Sequence, residues 1–395
     1  MKILLIHSYY QLRGGEDAMF EQEYNLLKQS EEVKAVTFRN LSGMRGAGQF
    51  LFSIWNFKAA QKVKKVMLEF TPDIVQIYNW HFATGPLVIR AAKKLKVKVI
   101  VSMANYRLLC PSATLVHKGK LFTQSIDKKG FPWDAVRHKV YRDSLFQTFW
   151  VAFTVYFHNQ IGTWRSVDRF IVPTGTVKKL FTDHNSYLHI PGDQITVKPN
   201  FSNDGSFSHS SKRGRHFLFI GRLSEEKGIH LLLNTFENSS YELVIAGEGP
   251  LLNTVKESCS RFSNIKYVGK LNENGVREAL NDCSALVFPS ICYETFGLVI
   301  SEAYSHGCPV IASNIGSPSE LVLEGITGLQ FTAGDKRSLQ SRLTLWQNLN
   351  EADREKYRIN CISLYKKLYT PEKNKENLLS IYHSVMEKGE VDHAK

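Results

Sequence analysis

The residues best suited to chemistry lie between Leu286 and Leu329. Glu294 follows an apolar run, Gly297 opens the next amphipathic segment, and Glu302 sits on it, with seven residues between the two glutamates. A helical rise of ~1.5 Å per residue puts the pair up to roughly 12 Å apart, comparable to the reach from the sugar to the ribose of a nucleotide sugar. One carboxylate can meet sugar hydroxyls while the other takes ribose hydroxyls. Between them, the amides around Phe296, Gly297 and Leu298 would form a helix N-terminus suited to phosphate. Two glutamates at this spacing are by themselves a weak signal and are commonly solvated. The glycine-opened helix and the downstream loop Ser313–Ser317 make this pair far more specific.

Two cations stand upstream in FIGRLSEEKGI, where Arg222 and Lys227 flank a short loop closed by Gly228. Such a pair after a strand can clamp a diphosphate, the guanidinium as a bidentate fork and the ammonium as a point charge. Surface pairing with Glu225 and Glu226 accounts for them equally well. In the first half, Gly14 and Gly15 lie between a predicted strand and a predicted helix, where the backbone can approach an anionic group. A plain turn is the more ordinary reading of two glycines. A GxGxxG spacing is absent, which argues against an ordinary dinucleotide oxidoreductase. His81, in YNWHFATG, follows the third predicted strand and is a contact for acceptor or sugar, although a lone histidine is more often structural.

Holding these residues requires a scaffold, and its pattern is regular. Short β-branched or apolar runs alternate with longer amphipathic segments from end to end, the mark of βα units on a parallel sheet. Strands are predicted at 2–7, 33–38, 73–78, 97–102 and 169–173, and again at 216–220, 241–246, 265–268, 285–288 and 309–312. The expected fold is α/β, with two doubly wound, Rossmann-like domains in which loops after the strands carry the chemistry. The stretch Asn200–Gly214 has the Ser, Asn, Asp and Gly content of a linker. The expected division is 1–200, 201–370 and a C-terminal helix and tail over 371–395. At 395 residues the chain is long enough for two cores, and 43% hydrophobic with 22% charged residues excludes a disordered or fibrous chain.

Charge is distributed unevenly. Residues 1–195 hold 27 basic and 14 acidic side chains, a difference of +13, while residues 196–395 hold 23 of each, so the whole surplus lies in the first half. A one-sided basic domain suggests a polyanionic partner, nucleic acid or an anionic membrane surface. The six cysteines contain no CxxC pair, and Met1–His7 is too short for a signal segment, which together imply a cytoplasmic location.

The spacing Glu294-x7-Glu302, with GRLSEEKG, LVIAGEGP, YVGKL and GCPVIAS, resembles the retaining family-4 glycosyltransferases of the GT-B fold. HSYYQLRGGEDAMFEQE, NYRLLCPSATL and GTWRSVDRFIVPTG are similar to bacterial members that build capsule, O-antigen and exopolysaccharide. The resemblance covers roughly residues 2–385. It implies two domains facing a cleft, the first binding acceptor and the second binding donor, with the C-terminal helix returning toward the first. It implies that Glu294 contacts the donor sugar near the anomeric carbon and that Glu302 binds ribose. Arg222 and Lys227 would neutralise the leaving diphosphate, while Gly14 and Gly15 would approach the phosphate from the acceptor lobe. The donor would be a nucleotide-diphosphate sugar, a UDP-sugar in preference to GDP-mannose. No cofactor and no metal is expected. One position departs from the pattern: where the family carries a histidine before Asn105, this chain has Ala104. Asn105 or His81 could take that role, or the chain could be a catalytically silent nucleotide-sugar binder.

Phe146, Phe149, Trp150, Phe153, Tyr156 and Phe157 trace a helical stripe, preceded by Arg137, His138, Lys139 and Arg142. The stripe fits a buried core helix or, in a cationic lobe, an interfacial contact with anionic lipid. The second reading agrees with an acceptor glycan carried on a lipid or polyprenyl diphosphate and with a peripheral location on the inner face of the cell membrane. Nucleic acid has no recognisable binding signature here and is not an expected partner.

Overall fold

The computed structural model describes residues 1–11, 13–128, 130–184, 188, 190–205, 213–237 and 239–391. Residues 206–212 of the predicted linker and 392–395 of the predicted tail lie outside them. The chain divides into two units, one of Met1–Leu115, Phe122–Lys198 and the residues from Asn374 onward, the other of Val116–Leu121 and Pro199–Lys373.

The first unit is built on six parallel strands, β1 (Lys2–Tyr9), β2 (Glu32–Arg39), β3 (Ile74–Asn79), β4 (Lys98–Ser102), β7 (Arg169–Val172) and β8 (Ile195–Val197), in the order β2-β1-β3-β4-β7-β8. The numbering leaves β5 (Val116–His117) and β6 (Lys120–Leu121) for a two-stranded hairpin that groups with the second unit. In β1 every residue from Ile3 to Ser8 is buried, the continuous burial of a parallel strand covered on both faces. β2 lies at the sheet edge and alternates exposed with partly buried positions, its charged residues in the exposed places. Around the sheet run α1 (Gly15–Leu27), α2 (Gly43–Phe52), α3 (Phe57–Phe70), α4 (Leu87–Lys94), α5 (Trp133–Arg137), α6 (Leu145–Gln160) and α7 (Gly175–Asp183).

The chain's last helix completes this core. It runs from Pro371 to Val391, and its Leu378, Ile381, Tyr382 and Val385 pack with Ile3, Leu5 and Phe20. The Tyr382 hydroxyl donates to the side-chain oxygen of buried Gln76 on β3.

In the second unit β9 (Phe217–Ile220), β10 (Leu243–Ala246), β11 (Ile265–Tyr267), β12 (Ala285–Phe288), β13 (Val310–Ser313) and β14 (Gly328–Phe331) form a parallel sheet ordered β11-β10-β9-β12-β13-β14. Counted within the unit this is order 3-2-1-4-5-6, the dinucleotide-fold order, and its direction reverses between β9 and β12. Its helices are α8 (Ile229–Phe236), α9 (Leu252–Arg261), α10 (Glu273–Asp282), α11 (Leu298–Ser305), α12 (Pro318–Leu321), α13 (Lys336–Asn348) and α14 (Glu351–Leu368).

The ten predicted strands form, with ends moved by one or two residues. β8 and β14 were not predicted.

A buried ion pair ties α1 to the strand layer of the first unit. Lys198 Nζ lies 2.5 Å from Glu23 Oε1, the Tyr78 hydroxyl donates to Glu23 Oε2 at 2.5 Å, and both charged side chains are at most 3% exposed. Removing the cation alone strands a buried carboxylate. Lys198→Met is expected to lower unfolding free energy by about 3–5 kcal/mol in urea denaturation, and Glu23→Gln added to it should recover part of the loss. An unchanged midpoint for the single variant would show that the pair does not hold the unit together.

Candidate active site

The second unit places its reactive side chains on the two loops that flank the reversal of strand order. The loop after β9 leads through Arg222 to a turn of 3-10 helix at Glu225–Lys227 and ends at Gly228. The loop after β12 carries Ser290, Cys292 and Glu294 and ends at Gly297, the N-cap of α11. Ile291 N donates to Glu226 O at 3.0 Å, linking the two loops by backbone. The contact demands glycine at Gly228. Its φ is +74°, and a Cβ there would stand 1.9 Å from Pro289 O.

That approach brings Lys227 Nζ to 2.5 Å from Glu294 Oε1, which also accepts from Ser290 Oγ at 2.5 Å and Cys292 Sγ at 3.6 Å. The structure thus brings together Lys227 and Glu294, two residues that the sequence placed on separate loops. The direct ion pair of Lys227 is with Glu294 and not with Glu225 or Glu226, the surface partners that the sequence offered; Glu226 accepts from Ser224 Oγ. Burial by itself would raise the Glu294 carboxyl, but Lys227 and the hydrogen bonds from Lys227, Ser290 and Cys292 outweigh it and hold the group below its ordinary value. Burial would likewise lower the Lys227 ammonium, and Glu294, with Cys292 and Glu226, more than reverses this. The carboxylate's gain is present above its ordinary pKa and is lost as pH falls through the lowered one. The ammonium's gain is lost only as pH rises through its raised value. Both groups are therefore charged throughout the neutral range.

The Glu294 loop is clamped from its other side by Ser313–Ser317. Ser317 N donates to Glu294 O at 3.1 Å, Ser317 Oγ to Thr295 O at 2.6 Å and Ser313 Oγ to Ser290 O at 2.5 Å. Gly316 has φ +64°, and a Cβ on it would come within 2.8 Å of Glu294 N. Gly297, at φ +90°, lets the chain turn into α11, where Ile300 N donates to Gly297 O at 2.9 Å and the two amides before it, of Leu298 and Val299, have no acceptor within the helix. Phe296 contributes backbone only: its ring is buried in the core against Tyr369, so it offers no side-chain contact to a donor. Glu302, on α11, is half-buried, and burial together with Glu273 raises its carboxyl. Arg222 is exposed and makes no ion pair among the described residues.

The first unit gathers a separate polar cluster at the carboxyl ends of β1, β3 and β4. Gly14 caps α1 with extended backbone, and its amide donates to Asp17 Oδ2 at 3.1 Å. Asp17 in turn lies 2.7 Å from His7 Nε2, both buried. A Cβ at Gly14 would meet nothing within 4 Å, so no packing inside the unit demands glycine there. Gly15 begins the helix. His81, Ala104, Asn105 and Arg107 line a small cavity of about 20 Å³, room for roughly one water. His81 Nε2 lies 3.2 Å from the Tyr141 hydroxyl, and burial with Arg107 and Arg142 nearby pushes its imidazole well below its ordinary value. Asn105 Nδ2 donates to Glu16 at 3.3 Å, and its Oδ1 accepts from Arg107 N. Arg107 Nε is buried with no hydrogen-bond partner among the described residues.

Sequence reasoning missed Tyr10, Glu16, Arg107, Ser290 and Cys292. Glu16 was readable as the acid following the two glycines, but nothing local says that Tyr10 and Asn105 would converge on it. Its carboxyl accepts from the Tyr10 hydroxyl at 2.7 Å. Burial pushes it up to about 7, against opposing pulls from Tyr10, Arg107 and Asn105. A raised carboxyl binds its proton more tightly folded than unfolded, so folding stability falls as pH rises from the ordinary Glu range to about 7. Thermal unfolding followed across that interval should show wild type losing stability relative to Glu16→Gln. Parallel curves would contradict the assignment.

The family described as Glycosyl transferases group 1 matches residues 204–363. The chain is 26% identical to O-antigen chain mannosyltransferase C of Escherichia coli over 209 residues, 49% of this chain and 56% of that one. It is 29% identical to D-rhamnosyltransferase WbpZ of Pseudomonas aeruginosa over 161 residues, 40% and 42% of the two chains. The chain thus spans about half the length of the curated relatives it matches. Among solved structures, Anabaena Alr3699/HepE in complex with UDP superposes with a TM-score of 0.68 at 16% identity, covering 97% of this chain and all of that one. Sucrose-phosphate synthase of Thermosynechococcus elongatus gives 0.70 at 15% identity over 98% and 99%. At such identities the likeness shows the fold, two parallel-sheet α/β domains of GT-B type.

Proposed function

We propose that this chain, a group 1 glycosyltransferase by its second unit, moves a sugar with retention from a nucleotide-diphosphate sugar to a lipid-linked glycan acceptor in bacterial surface polysaccharide synthesis. The observation that carries this reading is the Lys227–Glu294 pair beside the N-terminus of α11, at the reversal of strand order where such sheets bind nucleotides. Lys227 and Arg222 would face the diphosphate as its charge develops, and a preorganised cation there stabilises the departing group. Glu294, kept ionised by Lys227, would accept hydrogen bonds from sugar hydroxyls. Glu302 would take the ribose hydroxyls.

The name of the Escherichia coli relative, O-antigen chain mannosyltransferase C, supports O-antigen or related polysaccharide as the product and keeps GDP-mannose as a candidate donor, while the UDP bound to Alr3699/HepE supports a UDP-sugar. No metal enters the proposed reaction.

Transfer assayed over UDP-, GDP- and ADP-sugars should select one donor. Glu294→Gln is expected to lower kcat by about 10²–10³ with the fold intact. The product's anomeric configuration, read by NMR, should match the donor's, and chelator should leave the rate unchanged. Binding of no donor, together with an inert Glu294→Gln substitution, would refute the reading.

Ala104 favours a second reading, a nucleotide-sugar binder without turnover. It predicts calorimetric donor binding by the unmodified chain and activity gained on Ala104→His. Rapid turnover by the unmodified chain would exclude it.

A further inference from the structure

Every exposed phenylalanine and tryptophan among the described residues belongs to the first unit: Phe52, Trp55, Phe57, Trp133 and Phe146, each 46–69% exposed. The second unit's exposed large hydrophobics are aliphatic, such as Val268 and Ile359. Three of them, Phe52, Trp55 and Phe57, lie on α2, α3 and their connection, Trp133 opens α5, and Phe146 lies on α6, which carries no Asp, Glu, Lys or Arg in its sixteen residues. Its buried side is formed by Thr148, Val151, Ala152, Thr154, Val155 and His158, so the aromatic stripe read from the sequence is not the core-facing side. Of the stripe only Phe146 is exposed, while Phe149, Trp150, Phe153, Tyr156 and Phe157 are half-buried beside the core-facing side.

The stripe is continuous with neighbouring elements. Ring centroids step from Trp133 to Phe149 in 6.3 Å, to Phe153 in 5.6 Å, to Phe157 in 6.1 Å and to Trp55 in 6.0 Å, with an exposed tryptophan at each end. Trp150, stacked on Phe146, donates from its indole nitrogen to Phe50 O at 3.0 Å and so fixes α6 to α2. The α2–α3 stretch it meets is cationic: residues 40–70 contain five basic side chains and one acidic, Glu69, which lies 3.9 Å from Lys65 Nζ. No helix of the described residues is long and apolar enough to cross a membrane.

We propose that α6 and the α2–α3 connection dock as one surface onto an anionic bilayer, their aromatic rings in the headgroup layer and Arg45, Lys58 and their neighbours over the lipid phosphates. Tryptophan and phenylalanine with a basic rim suit that layer. Self-association through this face would instead set two cationic rims against each other. The inference deepens the proposed function by naming where a lipid-linked acceptor's membrane would lie, yet its test needs neither donor nor acceptor.

The full chain is sedimented with phosphatidylcholine vesicles, with or without phosphatidylglycerol. Wild type is expected to sediment only with the anionic vesicles and to be released by high salt. Arg45→Gln and Lys58→Gln should each weaken binding about fivefold. The exposed triple variant Phe52→Ser/Trp133→Ser/Phe146→Ser should lose it, with circular dichroism and calorimetric donor affinity unchanged. Absence of wild-type binding, or equal binding by the triple variant, overturns the proposal. So does a wild-type oligomer that the triple variant dissolves, which would give the face to a second copy. A chain that binds vesicles but transfers no sugar refutes the proposed reaction and leaves this surface standing.

Discussion

The candidate site depends on backbone touching backbone. In the second unit three loops approach so closely that side chains are excluded: Gly228 against Pro289 O, Gly249 against Leu223 O at 2.4 Å from a would-be Cβ, and Gly316 against Glu294 N. These contacts fix the loop after β9, the loop after β10 and the Ser313–Ser317 loop around the segment that carries Glu294. Desolvating a carboxylate and an ammonium is costly unless geometry and further hydrogen bonds compensate. The glycine contacts supply that geometry, and Ser290 and Cys292 supply the additional hydrogen bonds.

What the sequence revealed follows from how local each signal is. Long apolar runs bounded by turns gave ten of the twelve strands of the two main sheets, because parallel strands buried on both faces are apolar without interruption. The placing of Lys227 and Glu294 in one donor site came from the family resemblance of their motifs, since spacing alone left surface pairing of Lys227 equally open. Its consequence, an ion pair rather than two separate donor contacts, was not legible, because sixty-seven residues separate the partners and only the sheet order makes them neighbours. The same reason hid Glu16 and Asn105, which meet across eighty-nine residues. Periodicity found the aromatic stripe of α6 but gave no direction to it. Thr148, Val151, Ala152, Thr154 and Val155 face inward while Phe146 is exposed and the other rings of the stripe are half-buried, a division that only burial reveals.

In the first unit the place beside Asn105 holds Ala104 rather than an imidazole, yet the neighbourhood is far from apolar. Glu16, Tyr10, Asn105 and Arg107 form a connected set in which one acid is held near neutrality and one guanidinium nitrogen is buried without a partner. His81, the other histidine nearby, is turned to Tyr141 and kept neutral. The polar character of this pocket thus comes from carboxyl, amide and guanidinium groups, which differ from imidazole in charge and in reach.

The last helix has a consequence for how the protein comes into being. Tyr382 and Leu378 share a core with Ile3 and Leu5, at the opposite end of the chain. On a ribosome residues 1–198 emerge before the second unit, but their core lacks these side chains until residues 378–385 are made, by which point the second unit has been wholly synthesised. The unit that begins the sequence is therefore the one whose packing closes last, and nascent chains truncated before residue 378 leave Ile3 and Phe20 without their final cover.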